Sequence, residues 1–134
     1  MMNKKELSKY YYLSLEIKSL EERILTIRNK SVGISNITGM PFSMNKSNPV
    51  EKQIQLIATL TERLELKKAQ ALEEMLKIEQ YVNTIKDVET RLIFSKRYIE
   101  LKKWDLIARE MYMSERSVFR KHSNYLRKGT YEKY

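Results

Sequence analysis

The sequence predicts an all-α protein: a long antiparallel, coiled-coil-like helical hairpin followed by a C-terminal helix-turn-helix domain. Three observations carry this expectation. Only 3 glycines and 2 prolines occur among 134 residues, while Leu, Ile, Glu, Lys and Met abound, a composition that suits long helices and disfavours a turn-rich sheet protein. Apolar residues recur at steps of three and four over two extended stretches, the spacing of one helix face. Beyond Asn83 the pattern shortens into three brief segments with an excess of basic residues.

The first stretch runs from Glu6 to about Arg28, where Leu13, Ile17, Leu20, Ile24 and Ile27 form a stripe flanked by Lys18, Glu21, Glu22 and Arg23. Tyr10, Tyr11 and Tyr12 suit either a sticky surface or the start of this amphipathic helix. Ser31–Pro49 contains both prolines and all but one of the glycines, so it reads as a loop, with Met40 and Pro41 inside it. The second helix is expected from about Val50 to Asn83, with Ser47 or Asn48 as its cap and Pro49 in its first turn. Its stripe is Val50, Ile54, Ile57, Leu64, Ala71, Met75, Ile78 and Val82 on a heptad grid, with Thr61 and Lys68 as polar interruptions. Leu56, Leu60, Leu66, Leu72 and Leu76 lie off that seam, as surface for a second copy or for a partner helix. A helix pair alone has too little core, so residues 1–83 are expected to oligomerise, with a dimer favoured.

Residues 84–134 divide into three predicted helices. Ile85–Leu101 carries Ile85, Val88, Leu92 and Ile99; Lys103–Tyr112 carries Trp104, Ile107, Ala108 and Met111. The third opens at Ser114, a good N-cap, with Glu115 in its first turn, and ends before Gly129. A small residue at Ala108, a short turn at Tyr112–Ser114 and a basic helix anchored by Val118 are the parts of a helix-turn-helix. The small residue permits a close crossing, and the second helix keeps a polar face for the major groove. Met113 stands where many such turns carry glycine, which points to a tighter turn.

Net charge is +9, which favours polyanionic partners, nucleic acid first. Residues 1–83 hold 13 basic and 10 acidic side chains, and residues 84–134 hold 13 and 7, so the charge marks a boundary at Asn83–Thr84. The absence of cysteine excludes disulfides and thiolate metal sites and agrees with a reducing cytoplasm. The single histidine, His122, has no partner for acid–base chemistry in the sequence pattern, so a packing or phosphate-side role is expected for it. Trp104, Tyr98 and Ile99 read as core. No phosphate loop, paired-carboxylate motif or metal spacing is present, so neither an enzyme nor a cofactor is expected. No apolar run approaches the ~20 residues of a membrane span, and the polar Met1–Tyr10 is not expected to be a secretory signal.

The runs Arg91–Ile99, Trp104–Ala108 and Ser114–Val118 resemble the fourth conserved region of sigma-70-type factors, which grips the −35 promoter element. With the Met40-Pro41 loop and the Ser114–His122 helix, the chain is similar to the ArpU/RinA-like group of phage late-transcription regulators. That resemblance implies activation of phage or prophage late genes, double-stranded DNA read by the third helix, and host RNA polymerase as a further candidate partner. Carried onto this sequence, Arg116, Ser117, Arg120 and Asn124 are candidate base readers, since Arg suits guanine and Asn adenine edges. Lys121, Arg127, Lys128, Lys102 and Lys103 are candidates for phosphate; Ser114 is foremost a cap, and Glu115 suits either task. Two other functions fit the same pattern: a small terminase subunit for phage DNA packaging, and a coiled-coil module binding a host factor.

Overall fold

The computed structural model describes residues 2–35 and 49–131. They are helical throughout with short connections, and no strand occurs among the described residues, so the protein is all-α. Helix α1 spans Lys4–Leu7, α2 Lys9–Ser35, α3 Pro49–Asn83, α4 Val88–Phe94, α5 Trp104–Met111 and α6 Glu115–Tyr131; a π-helical turn at Ser95–Ile99 continues α4.

Several boundaries differ from the sequence expectation. The first helix continues through 31–35, which the composition assigns to the loop. One glycine at position 33 costs only about 1 kcal/mol in a helix that is already propagating. Met40, Pro41, Ser47 and Asn48 lie outside the described residues. Gly129 does not stop the last helix, which runs to Tyr131. Helix α4 begins at Val88 and not at Ile85, because Asp87 caps it: Thr90 donates from its backbone N and its Oγ1 to the Asp87 carboxylate, at 3.2 and 2.6 Å. Arg91 Nη1 donates to the Ile85 carbonyl (2.9 Å), which closes the preceding turn.

Contacts divide the chain into two compact units, Leu13–Gln70, and Met1–Tyr12 together with Ala71–Tyr134. In the first, Leu20 and Ile24 of α2 are buried with Leu60 and Leu64 of α3, flanked by Ile17, Ile27 and Ile57. Lys67 of α3 pairs with Glu16 of α2 at 2.6 Å. The α3 stripe expected from the sequence is therefore buried at Leu64, Ala71, Ile78 and Val82, with Ile57 packed beside Leu64, but Leu60 and Lys67 meet α2 where the expected grid has Thr61 and Lys68. Leu60 is core, while Val50 and Ile54 are exposed. The observed seam and the expected grid both alternate steps of three and four and share Ile57 and Leu64; they differ where Leu60 and Lys67 replace Thr61 and Lys68, one residue along the helix.

The second unit has two apolar clusters. One gathers Leu7, Ile78, Tyr81, Val82, Ile85, Phe94 and Tyr98; the other joins Ile93, Ile107, Ala108 and Val118, with Trp104, Met111 and Met113 against them. This unit reaches across the Asn83–Thr84 charge boundary, because Leu7 and the end of α3 share a core with Phe94. Ala108 is 5% exposed and Val118 fully buried, so the small side chain lies within the packing of α5 and α6.

Two non-glycine residues adopt left-handed backbone at the ends of α5: Leu101 (φ 58°) before it and Tyr112 (φ 55°) after it. Tyr112, and not Met113, occupies the position that favours glycine, and Met113 N donates back to the Ala108 carbonyl at 3.0 Å to close the helix end. The Tyr112 side chain is 96% exposed, so removing it forfeits no packing. Left-handed backbone costs an L-residue about 1–2 kcal/mol, and glycine returns ~0.5–1 of that as unfolded-chain entropy. Tyr112→Gly is therefore expected to raise stability by about 0.5–1 kcal/mol, read from the urea midpoint; a lower midpoint contradicts the strain assigned to this turn. No helix among the described residues is long and apolar enough to cross a membrane.

Candidate nucleic-acid interface

Helix α6 is built to present one face. Its first turn is capped by Ser114, whose Oγ accepts from Ser117 N (3.1 Å) and donates to Ser117 Oγ (2.9 Å). Glu115 follows in the first turn, where the helix dipole favours a carboxylate. Val118 and His122, one turn apart, are buried at 0% and 2% exposure and pin one side of the helix to the core. Helical periodicity then turns Arg116, Arg120 and Arg127 to the opposite side, with Asn124 beside them, and all four are exposed. None of these arginines makes an ion pair among the described residues.

The other sequence candidates are placed differently. Lys121 lies on the flank of α6 and pairs with Glu89 (3.1 Å) and Asp87 (3.4 Å) of the α4 N-terminus. Glu89 foremost, with Asp87, holds the Lys121 ammonium above its ordinary range, while the Thr90 bonds hold the Asp87 carboxyl below its own. Lys128 is exposed near the end of α6. Lys102 lies before α5, at 2.8 Å from Glu110 and 2.9 Å from Glu100, and Lys96 reaches the same Glu110 at 2.8 Å. These bonds raise the Lys102 pKa and lower that of Glu110. Lys103 is exposed as the N-cap residue of α5. The fold thus gathers Arg116, Arg120, Asn124 and Arg127 on one face and occupies Lys102 and Lys121 with carboxylates.

Behind that face stands an aromatic cluster with His122 at its centre. The imidazole lies 5.0 Å from the Phe94 ring, 4.8 Å from Trp104, 5.6 Å from Tyr98 and 5.9 Å from Phe119. Its Nε2 is hydrogen-bonded with the Tyr98 hydroxyl, and its Nδ1 has no partner among the described residues. Burial, with Lys4 and Arg97 adding positive charge, holds its pKa down to about 4. Desolvation pushes the Tyr98 hydroxyl up to about 12. His122 is therefore a neutral packing residue, not a phosphate contact. Sequence reasoning missed the Tyr98–His122 contact, which joins residues 24 positions apart, and the Arg97 guanidinium 4.6 Å over the Trp104 ring. The Asp87 cap was open to it, as an Asp three residues before a Thr at a helix start.

No group of three or more His, Cys, Asp or Glu among the described residues could hold a metal ion. No curated protein and no solved structure matches the chain. Residues 45–128, more than half of the chain and including the whole arginine face of α6, match the family described as "Protein of unknown function (DUF1492)", and the chain belongs to that family.

Proposed function

We propose that this protein is a sequence-specific DNA-binding transcription regulator, an activator of phage or prophage late genes, in which α5 and α6 form a helix-turn-helix and α6 enters the major groove. The observation that carries this reading is the unpaired arginine face of α6, Arg116, Arg120 and Arg127 with Asn124, exposed opposite a buried anchor at Val118 and His122. Free guanidiniums on a rigid helix suit bidentate contact with guanine edges, and the amide of Asn124 suits adenine. Lys103, Lys128 and Arg127 supply phosphate contacts in this reading, whereas Lys102 and Lys121 hold the fold through their carboxylate partners. The phage setting and host RNA polymerase as a partner rest on the resemblance of the chain to the ArpU/RinA-like phage late-transcription regulators. A dimer is part of the proposal: Leu56, Leu66, Leu72 and Leu76 leave apolar surface on α3.

The test selects genomic fragments with purified protein at two salt concentrations. One fragment retained at the higher salt is expected to yield the operator, because phosphate-only binding falls steeply with salt. Arg116→Ala and Arg120→Ala are each expected to cost about 1–3 kcal/mol of operator affinity with the melting temperature unchanged. Undiminished affinity in the double variant overturns the proposal, and a ring of many subunits by light scattering moves it to DNA packaging.

A further inference from the structure

A cavity of about 230 Å³ lies within the unit formed by Met1–Tyr12 and Ala71–Tyr134, lined by Lys4, Tyr11, Arg97, Leu101, Lys103 and Trp104 among others. We propose that it is a binding site for a phosphate ester, and this inference does not rest on the reading of α6.

Charge is the first argument. Three cations face one small space, and no Asp or Glu lines it. Elsewhere in this unit lysines near the core are matched: Lys102 and Lys96 by Glu110, Lys121 by Asp87 and Glu89. Lys4, Arg97 and Lys103 make no ion pair among the described residues, so an anion in the cavity would match them as the carboxylates match Lys102 and Lys121. The field of Lys4 and Arg97 also reaches the neighbouring His122, where it opposes protonation.

Preorganisation is the second. Arg97 is held by its stack over Trp104 at 4.6 Å and by an Nη1 bond to the Lys102 carbonyl at 3.1 Å. A guanidinium fixed in this way keeps further N–H donors for an oxygen ligand at small entropic cost. Arg97 and Tyr98 belong to the π-helical turn, and Leu101 is the left-handed residue that follows. Distortions of both kinds concentrate where a backbone is shaped for a ligand, and here both border one cavity.

Size decides the ligand. The cavity is smaller than the ~300–1,000 Å³ of sites that enclose drug-sized molecules. It accommodates a phosphate and its ester oxygen, with Tyr11 and Trp104 alongside for the attached sugar, and not a whole nucleotide. The phosphate could belong to a free phosphomonoester or to a nucleic-acid backbone.

Trp104 is the only tryptophan in the chain and lines the cavity, so its fluorescence reports on occupancy. Full-length protein titrated with inorganic phosphate, and separately with a nucleoside monophosphate, is expected to give a saturable change that sodium chloride of equal ionic strength does not reproduce. Lys4→Ala/Lys103→Ala, two exposed positions, is expected to weaken that binding by about tenfold or more, with an unchanged helical circular dichroism spectrum. Arg116→Ala/Arg120→Ala should leave it intact, which separates this site from the α6 face. A linear response, or equal affinity in the Lys4/Lys103 variant, overturns the proposal. The source is read on a short duplex. Lys103 is already a backbone contact in the proposed function, so Lys4→Ala alone decides: a flatter dependence of duplex affinity on salt identifies a backbone phosphate, and an unchanged slope with weakened phosphomonoester binding identifies a free ligand.

Discussion

Phe94→Ala is expected to destabilise the unit formed by Met1–Tyr12 and Ala71–Tyr134 by about 3–5 kcal/mol, the range for truncating a buried phenylalanine. The ring is fully buried and makes four aromatic contacts, with centroids 5.0 Å from His122, 5.4 Å from Tyr125, 5.6 Å from Tyr98 and 6.3 Å from Tyr81. The His122 pair is stacked and the others are tilted or edge-on, and aromatic pairs in such arrangements add ~0.5–1.5 kcal/mol each beyond area burial. Those partners lie on α3, the π-helical turn and α6, so one side chain couples the end of the long helix to the helix that carries the arginine face. The lost interior cannot refill by local collapse, because its walls are large rings on three separate elements.

Against a typical domain stability of ~5–15 kcal/mol, that loss brings the unit close to unfolding at growth temperature. Urea denaturation followed by Trp104 fluorescence measures it directly, since Trp104 sits 4.8 Å from His122 in the same cluster. A cost under about 1 kcal/mol would show that Phe94 is peripheral to the packing and that α6 is oriented by other contacts. Val118, fully buried beside Ile107 and Ala108, is the natural comparison. Val118→Ala removes two methyl groups at the α5–α6 contact and is the smaller lesion by volume.

Local rules read the all-α class and the start of α6 from the sequence, because helix-forming composition, stripe spacing and the Ser114 cap each act within a few residues. They failed where contacts are distant. Leu7 is fully buried with Ile78 and Phe94, and no pattern near Leu7 distinguishes it from the exposed Leu15 or Leu25. On α3 the spacing finds Ile57, Leu64, Ala71, Ile78 and Val82 but places Thr61 where Leu60 packs, since both satisfy helical spacing from Ile57 and only the packing partner decides between them. The basic residues divide in the same manner. Arg116, Arg120 and Arg127 share a face by periodicity alone, whereas the engagement of Lys121 with Asp87 joins residues 34 apart. Tyr112 took the left-handed position without glycine because full exposure removes any side-chain clash, leaving only a backbone cost.

The second large effect is acid lability, and it follows from His122. With a folded pKa of about 4 against an ordinary 6.5, the unfolded chain binds more protons across that interval, so stability falls as pH drops below 6.5. Protonation would place a donor on both ring nitrogens; Nδ1 has no acceptor among the described residues, and Lys4 and Arg97 oppose the added charge. The linkage relation puts the loss at about 2 kcal/mol by pH 5 and about 3 kcal/mol by pH 4, with almost none between pH 8 and 7. Carboxylates such as Glu110 and Asp87 also lose their ion pairs in acid, but their pKa values are lowered, so their loss falls mainly below pH 5. Urea midpoints at pH 7.5, 6.5, 5.5 and 5 therefore isolate the histidine. Tyr98→Phe/His122→Phe replaces both hydrogen-bonding partners by apolar rings of similar shape, which avoids leaving one of them buried and unsatisfied. That variant is expected to hold a constant midpoint from pH 7.5 to 5, while the natural protein weakens. If both decline in parallel, the acid sensitivity resides in the surface ion pairs and His122 is not its source.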